Sequence, residues 1–275
     1  ARPDRKKGPT APAGFADLVV DAFRQLTARV SGHLPEAPPM LDPRTEALEV
    51  LVAFLDDFDA TCSCAASQLD GDTERVPLAV NTGSPGTGKT TMLGMAGRAF
   101  PALRPGGCVL YVTLNGDTSN QQSFDRRCPE DVRLAHRLLH AASGAASLSR
   151  SVTDARLRLG MAPPVSSATP STAQGVTSDS KNKWLCDPVV LDDAMRGLLG
   201  IDRTVPLLIC VDELRNLGAK PALGEMSDAA VGALRLLARV SQQSAVRVAA
   251  ARETGGRPEG ATYVIASALS AMDPM

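Results

Sequence analysis

Residues 83–90 read Gly83-Ser84-Pro85-Gly86-Thr87-Gly88-Lys89-Thr90, followed by Thr91. The spacing G-x-x-x-x-G-K-[ST] suits a chain that wraps phosphate groups. Glycines let the loop curl so that successive backbone N–H groups converge on one anion, and a helix starting at its end aims its positive pole at the same point. Lys89 is then placed to meet β- and γ-phosphate oxygens. The Thr90 hydroxyl is placed to complete the coordination of Mg²⁺. Gly83 to Thr91 is therefore the candidate nucleotide-binding stretch.

A phosphate loop names a ligand class and leaves the reaction open. Far along the chain, Leu207-Leu208-Ile209-Cys210-Val211 runs into Asp212-Glu213. This is the pattern of a buried parallel strand that delivers acids at its C-terminal edge, where ligands bind in open α/β sheets. Asp212 is the candidate second holder of Mg²⁺, through a water. Glu213 is the candidate general base that polarises an attacking water. Lys89 and the loop amides would stabilise the developing charge. The reaction expected from these parts is Mg²⁺-dependent hydrolysis of ATP at the β–γ linkage.

These groups need elements to hold them. An apolar run over 76–82 precedes the loop and helical spacing follows it over 89–100. A second strand is expected over 108–114, between the turn formers Pro105-Gly106-Gly107 and Asn115-Gly116-Asp117. Helices are expected over 129–142, from Asp187-Pro188 to 199 with an acidic cap and Pro in the first turn, and over 227–243. Further strands are expected over 205–211, 245–251 and 263–269. Strands alternating with helices mean parallel pairing and a sheet covered on both faces. The expected fold is thus a three-layer α/β domain over 71–275 with a mainly parallel five-stranded sheet. Ahead of it lie a flexible tail, 1–14, and an N-terminal helical segment, 15–70, with amphipathic helices over 15–30 and 44–60 that pack on the sheet or meet a protein partner. The tract 143–182, rich in Ser, Ala, Gly, Thr and Pro, reads as a mobile low-complexity insertion.

With these motifs in hand, the sequence resembles a P-loop NTPase of the division whose catalytic Glu follows the metal-binding Asp, and most of all the AAA-type ATPases, over residues 76–270. The resemblance implies ATP and Mg²⁺ as ligands and a polar residue at the end of the next strand that senses the γ-phosphate. Thr254 is the first choice for that role and Arg252 the second, in place of the family's usual Asn. Arg126 and Arg127 are candidates for fingers that reach a neighbour's γ-phosphate. The family also carries a helical C-terminal subdomain with a second sensing Arg, and the chain as given stops before one could fit. Lid closure and a hexameric ring lose support accordingly, while a homo-oligomer stays compatible with the resemblance. The Asn115–Thr118 turn and residues 263–270 also resemble the P-loop domains of retrotransposon hot spot and Crinkler-type proteins.

Rival chemistries are poorer matches. A GTPase needs N-K-x-D and D-x-x-G, whereas Asn182-Lys183-Trp184-Leu185 and Asp212-Glu213-Leu214-Arg215 lack the final residue of each. A small-molecule kinase shares the loop, but Glu directly after Asp favours water as nucleophile. A switch or scaffold that binds ATP with negligible turnover shares every site residue. It would present the N-terminal helices or the 143–182 tract to a partner.

The 275 residues carry 29 basic and 30 acidic side chains, a net charge of −1, which is not the signature of a nucleic-acid coat protein or a polybasic membrane binder. Aromatics are 3% of the chain, too few for a base-stacking surface, and Lys181, Lys183 and Trp184 do not make one. His136 and His140, at i and i+4, supply two metal ligands at most and read as a solvated helix face. Six cysteines without paired C-x-x-C spacing read as buried free thiols in a reducing compartment. No apolar run approaches the roughly 18 residues of a membrane span, and no signal peptide opens the chain, so an intracellular protein is expected. An opening Ala and a closing Asp273-Pro274-Met275 suit a fragment.

Overall fold

The run Leu207–Asp212 is apolar at five successive positions, and all six of its residues are buried. Such a strand needs cover on both faces, and the fold is built around that need. The computed structural model describes residues 29–31, 45–70, 75–83, 88–114, 128–161, 183–214 and 228–269. In chain order the elements are β1 (Arg29–Ser31), α1 (Thr45–Thr61), α2 (Ala66–Asp70), β2 (Ala79–Gly83), α3 (Lys89–Leu103), β3 (Cys108–Thr113), α4 (Glu130–Ser143), α5 (Leu148–Arg158), a 3₁₀ turn (Lys183–Cys186), α6 (Pro188–Leu199), β4 (Leu207–Asp212), α7 (Asp228–Glu253) and β5 (Thr262–Leu269).

The protein is α/β with a parallel sheet. Strands β2 to β5 form its body in the order β3-β4-β5-β2, and the three-residue β1 pairs parallel with β3. Because side chains alternate along a strand, β3, β4 and β5 each feed two cores. Leu110, Val112, Leu207, Ile209 and Val211 pack with α4, α6 and the first half of α7. Val109, Tyr111, Leu208, Cys210, Tyr263 and Ile265 pack with α1, α3 and Ala245 and Ala249 of α7. Phe58 and Phe100 lie against the Tyr263 ring at centroid distances of 4.5 and 5.4 Å, which ties α1 and α3 to β5. The helix expected over 44–60 is therefore core-facing. The tail and residues 15–28 lie outside the described residues, and Arg29 and Val30, at the end of the helix expected over 15–30, belong to β1 instead.

Local signals set several helix ends. The Asp187 carboxylate accepts from the amides of Val189 and Val190 at 3.0 and 3.2 Å, Pro188 opens α6, and Gly200 closes it in the left-handed region.

Two expectations are overturned. Residues 245–251 are the last third of the 26-residue α7, not a strand. No Gly or Pro separates them from Gln243, alanine is the strongest helix former, and Ala245 and Ala249, four apart, bury one face. The alternation of Val246 and Val248 is weaker than that facial pattern. The tract 143–182 is not uniformly loose either. Residues 148–158 form α5, whose Leu148, Ser151, Val152 and Ala155 are buried, while 162–182 lie outside the described residues. Among the described residues no helix is long and apolar enough to cross a membrane.

Candidate functional site

The end of β2 and the start of α3 bracket the glycine-rich loop. Residues 84–87 lie outside the described residues. Gly88 stands at the helix N-cap with φ 81° and ψ 23°, a left-handed conformation open to glycine without steric cost. Lys89 follows in the first turn and is 6% exposed, with Thr90 and Thr91 half-buried beside it.

The acid comes from the middle of the sheet. In β4 the residues Leu208, Cys210 and Asp212 share the α3 face, as do Val109 and Tyr111 in β3 and Tyr263, Ile265 and Ser267 in β5. The two-residue period of three neighbouring strands thus brings one phenol, one carboxylate and one hydroxyl under the first turn of α3. Asp212, 1% exposed, accepts at Oδ2 from Thr90 Oγ1 at 2.8 Å and from the Tyr111 hydroxyl at 3.1 Å. At Oδ1 it accepts from Ser267 Oγ at 2.5 Å. A carboxylate offers about four lone-pair sites, so these donors satisfy most of a group that would be costly to bury unpaired. Burial pushes the Tyr111 phenol well above its usual pKa, and the charge of Asp212 adds to the rise. The same two causes push the Cys210 thiol up to about 12.

Glu213 is half-buried and has φ 57°, the single non-glycine residue with positive φ among the described residues. Such a backbone costs roughly 1–3 kcal/mol and persists where its surroundings hold it. The Glu213 amide donates to Ser267 Oγ at 3.0 Å, and the Leu114 amide donates to the Asp212 carbonyl at 3.1 Å. One serine hydroxyl therefore gives its proton to Asp212 and accepts one from Glu213.

Ser267, like Tyr111, is a site residue that the sequence does not mark. It sits in β5 between the acid strand and the loop strand, in register with Asn81 of β2, the place that a strand over 245–251 would give to Thr254. Thr254 is exposed beyond the end of α7, and its hydroxyl donates to the Ala250 carbonyl at 2.9 Å. A crossover helix between parallel strands runs antiparallel to them, so its C-terminus lies at the opposite sheet edge from the site. The Gly260 amide confirms that edge by donating to the carbonyl of Arg203, ahead of β4. Arg252, the second choice, lies at the same end and reaches Ser63 Oγ at 3.2 Å. A serine in the apolar run 262–269 carries no local mark of function; only the register of β5 beside β4 reveals it.

Arg126, Arg127 and the Asn115–Thr118 turn lie outside the described residues. His136 and His140 do not form a solvated face: His136 is 0% exposed, and half-buried His140 has Nδ1 3.2 Å from Ser151 Oγ. Burial, then Arg137, hold the His140 imidazole below its ordinary pKa. Among the described residues no three His, Cys, Asp or Glu side chains cluster as a metal site. All six cysteines are free thiols, with Cys62, Cys108 and Cys210 buried.

Comparison with family models, with curated proteins and with solved structures gave no match. The functional reading therefore rests on the residues and their geometry.

Proposed function

We propose that the protein binds ATP and hydrolyses it at the β–γ linkage in a Mg²⁺-dependent reaction, as a P-loop NTPase of three-layer architecture related in kind to the AAA-type ATPases. The observation that carries this reading is the 2.8 Å bond between Thr90 and Asp212. It joins the end of the glycine-rich stretch to the acid strand across more than a hundred residues of chain. Two hard oxygen donors, a hydroxyl and a carboxylate, meet beside a buried lysine, and that donor chemistry fits Mg²⁺ better than a softer metal. Thr90 and Asp212 would hold the ion, and when bound it neutralises charge on the phosphate oxygens.

The chain's own groups account for the remaining work. Lys89 and the backbone N–H groups of residues 83–90, Pro85 excepted, orient the β- and γ-phosphates and face the charge that develops on them. Glu213 takes a proton from the attacking water as the water oxygen bonds to the γ-phosphorus. The bond from that phosphorus to the bridging oxygen breaks, and its electron pair leaves with ADP. Ser267 replaces Thr254 in this scheme and holds the Asp212 carboxylate and the Glu213 backbone in fixed relation.

Nucleotide binding and turnover test the reading in the parent, Lys89→Ala and Glu213→Gln. Lys89→Ala is expected to weaken ATP binding at least about tenfold. Glu213→Gln is expected to keep binding and lose about a hundredfold or more in kcat. Unchanged affinity in Lys89→Ala would refute the site. ATP binding with no turnover in the parent would favour a nucleotide-dependent switch instead.

A further inference from the structure

We propose that Tyr111 is a positioning residue for the metal-binding carboxylate: its buried hydroxyl fixes the plane of Asp212 and thereby sets the metal affinity of the site. The inference rests on the Mg²⁺ and ATP reading above and extends it to a residue in a strand that carries neither motif.

The Tyr111 ring is 3% exposed in the core that α1 and α3 make with the sheet. Phenylalanine would fill the same space, so packing alone does not call for the hydroxyl. A phenol in an apolar core is costly unless it finds a partner. Tyr111 is in register with Cys210, and Asp212 with Thr113, so the long ring reaches diagonally to the carboxylate two positions on, a distance aromatic side chains can span. It meets Oδ2, the oxygen that also accepts from Thr90.

The three donors to Asp212 are not equivalent. Thr90 belongs to the proposed metal-binding pair and would share the ion with Asp212. Tyr111 and Ser267 lie outside that pair, and their bonds can persist with metal present. The terminal torsion of an aspartate is broad and loosely held by itself. With Tyr111 on Oδ2 and Ser267 on Oδ1, both oxygens are held. Hydrogen-bonding partners behind a metal ligand of this kind typically alter affinity or activity about 10- to 100-fold when removed. The two hydroxyls differ in one respect: Ser267 also touches the Glu213 amide.

The test uses the full chain with Mn²⁺ as the probe ion and an imido analogue of ATP. Free Mn²⁺ is read by electron paramagnetic resonance for the parent, Tyr111→Phe, Tyr111→Met and Ser267→Ala. Both Tyr111 variants should bind Mn²⁺ about tenfold more weakly than the parent. Nucleotide affinity measured in chelator should be unchanged. Half-maximal turnover of Tyr111→Phe should need about tenfold more Mg²⁺ than that of the parent, whereas Ser267→Ala, whose loss also frees Glu213, should lose kcat even at saturating Mg²⁺. Thermal melts of the same samples establish that the variants are folded. Mn²⁺ affinity in folded Tyr111→Phe or Tyr111→Met equal to that of the parent overturns the role of the hydroxyl while leaving the ATPase reading intact. A kcat loss in Tyr111→Phe as large as that of Ser267→Ala overturns it too. A parent that binds no Mn²⁺ with nucleotide present removes the ATPase reading and this inference together.

Discussion

At the scale of single residues, the site is organised by hydroxyls. Thr90 comes from a helix, and Tyr111 and Ser267 come from the two strands that flank the acid strand; all three converge on Asp212. The glycine-rich stretch and the Asp212-Glu213 pair could be read from the chain because each is contiguous and its residue types stand next to one another. Tyr111 and Ser267 could not, because a lone Tyr or Ser in an apolar strand has no neighbour in sequence that marks it. The position of Thr254 has a related cause. The choice of Thr254 follows from reading 245–251 as the strand after the acid; those residues are helix, and the next strand is β5, which carries Ser267. Removing the Ser267 hydroxyl takes a donor from a buried carboxylate and an acceptor from a strained amide. Ser267→Ala should cost about 1.5–3 kcal/mol in stability by urea unfolding, together with at least about a tenfold loss of kcat. A stable variant with parental turnover would show that the hydroxyl does neither job.

At the scale of elements, the deciding issue is how α7 hands the chain to β5. Facial burial of Ala245 and Ala249 prolongs the helix to Glu253. The left-handed Gly255, with φ 62°, then ends it. From there the chain passes beneath the start of β4, and Gly260 makes the closest approach. A Cβ at Gly260 would lie 2.4 Å from both the carbonyl carbon and the oxygen of Val205. Those are backbone atoms next to a buried strand and cannot swing aside. Gly260→Ala should therefore cost about 3 kcal/mol or more in a urea titration, because the joint that fixes the register of β5 must shift. Since the register sets where Ser267 lies beside Asp212, nucleotide turnover in any folded fraction should fall as well. Wild-type stability in this variant would mean that the passage is looser than the distances indicate. The α5 helix carries a similar lesson. Small and polar residues made 143–182 look unstructured, yet Leu148, Val152 and Ala155 recur at helical spacing and are buried.

At the scale of the molecule, the two edges of the sheet do different work. The C-terminal edge carries the candidate site. The N-terminal edge is fastened by a buried ionic network that no local motif announces. Asp192, 1% exposed, accepts from Arg196 Nε at 3.0 Å, from Arg247, and from Thr262 Oγ1 at 2.8 Å. Arg196, 2% exposed, also donates to the carbonyls of Val205 and Gly260 at 2.7 and 3.0 Å, so α6, α7 and the approaches to β4 and β5 meet at one point. Removing one member leaves a buried charge with fewer partners, which typically costs about 3–5 kcal/mol. Arg196→Met should show that loss by calorimetry or urea. Combined with Asp192→Leu, it should cost less than the sum of the two single changes, because each single change exposes the other group's burial cost. Additive losses would mean that the network does not act as a unit.

The chain by itself determined the alternation of helices and strands, the spacing of the glycine-rich stretch and the acids at the end of an apolar strand, because those depend on period and adjacency over a few residues. Tertiary structure alone decided that β3 and β5 flank the acid strand, with β5 next to the loop strand, and that Tyr111 and Ser267 therefore reach Asp212 while Thr254 lies at the opposite sheet edge. Register and strand order are set by the burial of whole faces against one another, a balance over the full core that no short window of sequence contains.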